Sequence, residues 1–199
     1  MNEELLVKAM KMFDTSEKWN AFSELASKQI EIRNRWWRDL RKEVVRREQK
    51  DGMPDWEVGV LWDLNFRWYM KGEINGENEN TLSIHFWIHD KVSLRVSFGF
   101  GGLDQDKVRK LYASKFDVIK AGFERVDETA NDTIGREIGN FSFGSIYDGH
   151  FPDNTTLSWY AGNKTKEFAD QIIKKVRKFQ ETQGITELFK EINEKCRKE

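Results

Sequence analysis

The stretch 82-LSIHFWIHDKVSLRVSFGF-100 decides the fold. Leu82, Ile84, Phe86 and Ile88 alternate with Ser83, His85, Trp87 and His89. After a break at His89-Asp90-Lys91 the pattern resumes with Val92, Leu94, Val96, Phe98 and Phe100. A period of two sends successive side chains to opposite faces of a strand. Upstream, Leu64, Phe66, Trp68 and Met70 alternate with Asn65, Arg67 and Tyr69, and Gly72 to Asn80 is a polar turn region. Three neighbouring half-buried strands predict an antiparallel meander with one covered face.

Outward from these strands the period becomes helical. Glu3 to Phe13 reads as a short helix with Leu5, Leu6, Ala9, Met12 and Phe13 on its apolar side. Asp14-Thr15-Ser16-Glu17 offers capping side chains for a second helix, from Ser16 to Gln49, which holds no glycine or proline. Asp51-Gly52-Met53-Pro54 stops it. Downstream, Asp104 or Asp106 begins a helix expected to reach Ala121, ahead of Gly122. Asn140 to Tyr147 and Thr156 to Tyr160 read as two further strands joined through Asp148-Gly149. Phe123 to Gly139 fits neither period. Asn163-Lys164-Thr165 opens a helix with Phe168, Ile172, Ile173, Val176 and Phe179 on one side. Gly184 breaks it, and Ile185, Leu188, Phe189 and Ile192 form a terminal helix.

The expected order is α-α-β-β-β-α-β-β-α-α. This is an α+β fold with a mostly antiparallel sheet of about five strands, packed by long N- and C-terminal helices. The 199 residues suit one domain: a helical segment over 1–50, a sheet with an inserted helix over 54–160, and C-terminal helices over 163–199. The element order loosely resembles that of an accessory domain found beside nuclease domains in some bacterial restriction-like proteins; no motif residue carries the likeness.

Composition bounds the setting. One cysteine, Cys196, excludes an internal disulfide framework and fits a reducing compartment. The charged N-terminal MNEELLVKAMKMFD is unlike a secretory signal, and no run of about 18 apolar residues exists to span a membrane. A cytoplasmic protein of a bacterium or phage is expected. The sequons at Asn131, Asn140, Asn154 and Asn163 then carry no glycosylation message. Charged residues make up 34% of the chain and nearly cancel, with a net of −1. Their layout is uneven: +3 over residues 1–50, −7 over 51–160 and +3 over 161–199. Basic ends and an acidic middle bear on partners rather than on the fold.

The most suggestive surface lies in 33-RNRWWRDLRKEVVRREQ-49. At about 100° per residue, Trp19, Phe22, Ala26, Ile30, Trp36, Trp37, Leu40 and Val44 form one stripe of the long helix. Lys28, Arg35, Arg38, Lys42 and Arg46 fall opposite. Tryptophans and basic residues therefore do not share a face, and the tryptophans are expected in the core. Glu24–Lys28, Glu31–Arg35 and Glu43–Arg47 are favourable i,i+4 pairs, whereas Arg38–Lys42 and Lys42–Arg46 repel. Such a ridge is a solvated face, a contact for phosphate, or a contact for an acidic protein. Arg33 lies on the apolar stripe, where its stem packs and its head needs a partner or an escape to the edge.

Other chemistry is sparse. His85 and His89 share a strand face but sit about 13 Å apart, too far for one metal ion. Asp55, Glu57 and Asp63 are candidate acids for a metal-dependent nuclease, but no strand-borne acid-x-lysine follows them. Asp104 and Asp106 are better read as helix caps. Gly99-Phe100-Gly101-Gly102 lacks the G-K-[ST] element of a phosphate loop and reads as a turn. Cys196 near the C-terminus and the lack of a Gly-x-Ser-x-Gly elbow leave nucleophilic catalysis unsupported. The eight tryptophans exceed what a small core demands. Trp62, Trp68, Trp87, Trp159, Tyr69 and Tyr160 fall in or beside expected strands, with Tyr69 and Trp87 on the polar face, where they stack on a partner or are covered by the terminal helices in a two-sided sheet; the long helices need such surfaces, which favours cover.

These residues together point to a non-enzymatic binding or accessory protein with no cofactor and no metal. Arg35, Arg38, Lys42 and Arg46 would meet an acidic partner, either protein or nucleic acid, and Tyr69, His85 and Trp87 form a secondary surface. Two alternatives stand beside it. One is a metal-dependent nuclease, or nuclease-associated domain of a restriction or defence system, built on Asp55, Glu57 or Asp63. The other is a small-ligand pocket lined by Trp62, Trp68 and Trp87.

Overall fold

The computed structural model describes residues 3–61, 64–72, 82–88, 92–98, 103–114, 137–141 and 154–198. The order is α1 (Glu3–Met12), α2 (Ser16–Ser27), α3 (Gln29–Asp51), β1 (Trp56–Leu61), β2 (Asn65–Met70), β3 (Leu82–Ile88) and β4 (Val92–Phe98). There follow α4 (Gln105–Ser114), β5 (Glu137–Phe141), α5 (Asn154–Asn163), α6 (Thr165–Gln180) and α7 (Ile185–Lys195). An α+β architecture is therefore present, with helices laid on an antiparallel sheet.

The sheet is a meander in the order β1-β2-β3-β4-β5, every neighbouring pair antiparallel. Its register brings Val58, Trp68, Ile84 and Val96 into one row, so the apolar set shares a face as the alternation requires. Two expectations need correction. Thr156–Tyr160 is not a strand; it lies within α5. Its alternation over five residues is too short to outweigh packing, because Leu157 and Ala161, one helical turn apart, are both buried. Trp56–Leu61, by contrast, is a strand that the proline and acidic residues around it concealed. Of the strand expected over Asn140 to Tyr147, β5 covers Asn140 and Phe141 and starts earlier, at Glu137. Residues 142–147, and 115–121 of the expected inserted helix, lie outside the described residues.

The core fills the space between this face and the helices. Phe66 stacks on Phe86 at 4.7 Å between ring centroids, and Trp37 of α3 lies 6.4 Å from Phe86 and 6.1 Å from Phe168 of α6. Trp56 of β1 meets Phe189 of α7 at 4.9 Å. All the apolar positions anticipated on the last two helices, Phe168 to Phe179 and Ile185 to Ile192, are buried. Gly184 joins these helices at φ 86°, a left-handed conformation that favours glycine. α3 packs on both α5 and α6. Their approach is close: a Cβ on Gly162 of α5 would lie 2.4 Å from Cγ of Trp36.

Several buried polar groups meet partners, although both amide atoms of Gln180 are buried without a hydrogen bond. Glu48 of α3 accepts from Trp68 Nε1 at 2.8 Å and from Arg177 Nη2 at 3.1 Å, and Arg177 also donates to the Asp51 carbonyl. Asn193 Oδ1 accepts the Leu82 N–H, and Asn65 Oδ1 accepts the Ile88 N–H, each at 2.7 Å. These contacts satisfy strand-end donors that burial would otherwise leave unpaired. Asp104 caps α4 as expected, accepting the N–H groups of Asp106 and Lys107, which hold its carboxyl below the usual range.

Candidate interaction surface on the N-terminal helices

The helix expected to run unbroken from Ser16 is bent at Lys28, whose φ of −96° and ψ of 0° separate α2 from α3. No glycine or proline marks the bend. Ser27 supplies a local cause: its hydroxyl donates to the Glu24 carbonyl at 2.6 Å, while the Lys28 N–H is shared between the carbonyls of Glu24 and Leu25. Side-chain hydroxyls that bond back to the preceding turn loosen helices in this way. The bend also changes an ion pair. Lys28 reaches Glu31 at 3.0 Å rather than Glu24.

The apolar stripe divides at about this point. Trp37, Leu40 and Val44 are 0–1% exposed, as expected of core residues. Trp19, Phe22, Ala26 and Ile30, expected beside them, are not core: Trp19 is 53% exposed, Phe22 45% and Ile30 62%. The physical reason is the length of the body. α5 and α6 cover α3, whereas α2 has no buried residue at all. α1 continues the bare surface with Leu6, Val7, Met10 and Met12 exposed. A small aromatic cluster joins the two: Phe13 lies 4.5 Å from Phe22 and 5.7 Å from Trp19. Thr15 caps α2 through the Lys18 N–H, and Asp14 pairs with Lys18.

The basic ridge runs along α3. Arg35, Lys42 and Arg46 are exposed, and Arg38 is half-buried. Its cations have acidic neighbours on the same helix. Lys42 meets Asp39 at 3.3 Å, and Arg46 donates to both carboxylate oxygens of Glu43. Arg47 takes Glu43 at 2.6 Å, as the i,i+4 spacing predicts, and also pairs with Asp170 of α6. Hydrogen bonds from Arg46 and then Arg47 lower the Glu43 carboxyl to a pKa of about 2. Arg33 is half-buried beside the stripe.

Of the expected secondary surface, His85 is buried rather than exposed. Arg67 and His85 lie opposite each other on β2 and β3, and both are buried, as are Asn65 and Ser83. The meander is thus covered on both faces over β2 and β3, not on one. His85 Nε2 and Ser83 Oγ share a hydrogen bond of 2.7 Å. That distance suits a nucleophile and its base, but Ser83 is completely buried and so cannot meet a substrate as placed. Tyr69 is half-buried. Its ring lies so close to β1 that a Cβ on Gly59 would stand 3.0 Å from Cε1. Burial, and then the Glu57 carboxylate, push its phenol pKa up. The side chain of Trp87 lies outside the described residues, as do His89, Trp62 and Asp63.

The pocket imagined around Trp62, Trp68 and Trp87 does not form around Trp68, which is 1% exposed and packed against Phe66 with its N–H on Glu48. A cleft of about 450 Å³ lies elsewhere, where the end of α3 meets β1 and β2, between Lys50, Trp56, Glu57, Tyr69 and Lys71. Asp55 pairs with Lys190 at 3.2 Å. Among the described residues no three of His, Cys, Asp and Glu gather as a metal site requires, and no helix is long and apolar enough to cross a membrane. Sequence reasoning missed the bare stripe because amphipathic spacing marks a face that must be covered without saying by what. No protein-family model, curated protein or solved structure matches this chain.

Proposed function

We propose that the chain is a non-enzymatic binding or accessory protein that attaches to a protein partner along its N-terminal helices. One observation carries this reading. A single apolar stripe is buried by the protein's own helices at Trp37, Leu40 and Val44 and left bare at Trp19, Phe22 and Ile30. Exposed apolar patches of this extent mark contact surfaces. The ridge of Arg35, Arg38, Lys42 and Arg46 adjoins the stripe and suits an acidic rim on the partner. Its ion pairs are local and mostly exposed, so they add little and an incoming carboxylate can replace them.

Two variants test the proposal: Trp19→Glu with Leu25→Glu, and charge reversal at Arg35, Arg38, Lys42 and Arg46. Each is compared with the wild type for proteins retained from a native lysate and for labelled mixed-sequence DNA and RNA. The expected result is loss of specific protein retention by both variants, with only weak, salt-sensitive nucleic-acid binding. Tight nucleic-acid binding lost only on ridge reversal would replace the protein partner with a polyanion. Unchanged behaviour of both variants toward every probe would remove this surface from consideration.

A further inference from the structure

β1 is the outermost strand on its side of the sheet, and among the described residues no strand pairs with its outer edge. The Lys71 N–H donates to the Asp55 carbonyl at 2.9 Å, and the register runs unbroken from Trp56↔Met70 to Leu61↔Asn65. Glu57 and Gly59 therefore turn their N–H and C=O groups toward β2, while Val58 and Val60 turn theirs away. The Trp56 N–H also points away and is taken by the Met53 carbonyl at 3.0 Å. Val60 is 54% exposed, so the edge is open there. Sheet edges are normally guarded by lysine, proline, a bulge or short length. β1 has six residues, with no lysine, proline or bulge. We propose that an extended peptide docks antiparallel along this edge, with its C-terminal carboxylate seated in the cleft at the end of α3.

The cleft of about 450 Å³ supplies the seat. Trp56, Glu57 and Val58 are consecutive yet all line it, so the backbone edge of β1 rather than one face forms its floor. The turn from Gly52 to Pro54, which leads from α3 into β1, lines it too, so a strand running antiparallel to β1 meets this turn and must end. At about 3.4 Å per residue, the third peptide residue beyond the one opposite Val58 comes level with Asp55 and Lys71. Lys50 and Lys71 both line the cleft, both are exposed, and neither pairs with a carboxylate among the described residues. Of the acids there, Glu48 is held by Arg177 and Trp68, which leaves Glu57 against two lysines. A carboxylate is thus favoured, whereas a parallel peptide would bring its N-terminal ammonium to the lysines. Main-chain hydrogen bonds give such docking its affinity, and alternate side chains give its specificity. The 23 residues of α3 hold the cleft about 35 Å from α2, so this is a second attachment site, separate from the bare stripe.

Affinity selection on the full chain uses two synthetic libraries of random octapeptides, one ending in a free carboxylate and one in an amide, read by mass spectrometry. The expected result is enrichment from the free-acid library alone, with valine, isoleucine or threonine at alternate positions. Val60→Pro removes an outward N–H without touching the ladder to β2, and should weaken the best resynthesised peptide at least about 30-fold. Val60→Thr keeps that N–H and should bind within about 3-fold of the wild type. Lys50→Glu with Lys71→Glu should weaken binding at least about 10-fold. These two side chains are exposed, so the exchange keeps the test intact if thermal unfolding shows that Val60→Pro has lost the fold. No enrichment from either library overturns the docking, as does a selected peptide that binds folded Val60→Pro like the wild type. Equal enrichment from the amidated library, or indifference to the lysine exchange, overturns the cleft as the seat of a carboxylate.

Discussion

Trp37, Leu40 and Val44 on α3 and Trp19, Phe22 and Leu25 on α2 are the same kinds of side chain, on two helices separated by one bent residue. The first three are sealed against β3, α5 and α6; the second three stand 45–62% exposed. The difference comes from the chain more than a hundred residues downstream. α5 and α6 supply the cover, and they are long enough to reach only the C-terminal part of the line. Amphipathic spacing therefore records a demand for burial, and the tertiary neighbours decide where it is met.

The sharpest way to break this comparison is to truncate one residue from each part. Trp37→Ala should cost about 3–5 kcal/mol, since it empties a site between Phe86 and Phe168. Trp19→Ala should change monomer stability by less than about 1 kcal/mol, because the residue is 53% exposed and its described ring contacts are with Phe13 and Phe22. Urea unfolding of both variants compares the two directly. Equal costs would mean that Trp19 is covered as well.

A smaller effect examines the cover itself. Gly162→Ala adds a methyl group where the Trp36 ring already lies, 2.4 Å from the new Cβ position. The expected loss is about 1–3 kcal/mol with a shift of α5 away from α3. Stability together with the tryptophan emission of the variant reports both. A neutral Gly162→Ala would show that the two helices have slack where they cross.

The smallest effect concerns acid. Glu43 has a folded pKa of about 2 against an ordinary value of 4.5, so the folded state binds its proton more weakly than the unfolded one. Its contribution is complete above pH 4.5 and is lost as the pH falls toward about 2. Glu43→Gln should therefore flatten the acid side of the melting-temperature profile in that window, by less than about 1 kcal/mol. An unchanged profile would mean that the pairs with Arg46 and Arg47 have no thermodynamic weight.

The strands β2 to β4 were legible in the sequence because alternation over six or seven residues leaves little choice of face. The same holds for α6 and α7, whose apolar positions recur at helical spacing and end at a glycine. Thr156–Tyr160 was misread because β-branched and aromatic residues favour strands only weakly, and burial against α3 overrode that preference. Cover of the second sheet face was foreseeable from the supply of long helices, but the burial of His85 and Arg67 on it was not, since polar residues on one strand face normally signal solvent. The bend at Lys28 rests on one hydroxyl of Ser27, a signal too common in sequences to locate a bend. The ridge was legible as a pattern, but its cations also take i,i+3 partners, Lys42 with Asp39 and Arg46 with Glu43, which the i,i+4 reading did not include.

Near the other end of the chain, Leu103 bridges Arg197, and the Asp104 N–H donates to the Cys196 carbonyl at 2.6 Å. Cys196 is buried beside this closure, and burial pushes its thiol pKa up. The protein consequently carries a clock of its own. A thiol reagent reaches the buried Cys196 when the surrounding structure opens, so its labelling kinetics measure local opening at this end of the chain without any introduced probe.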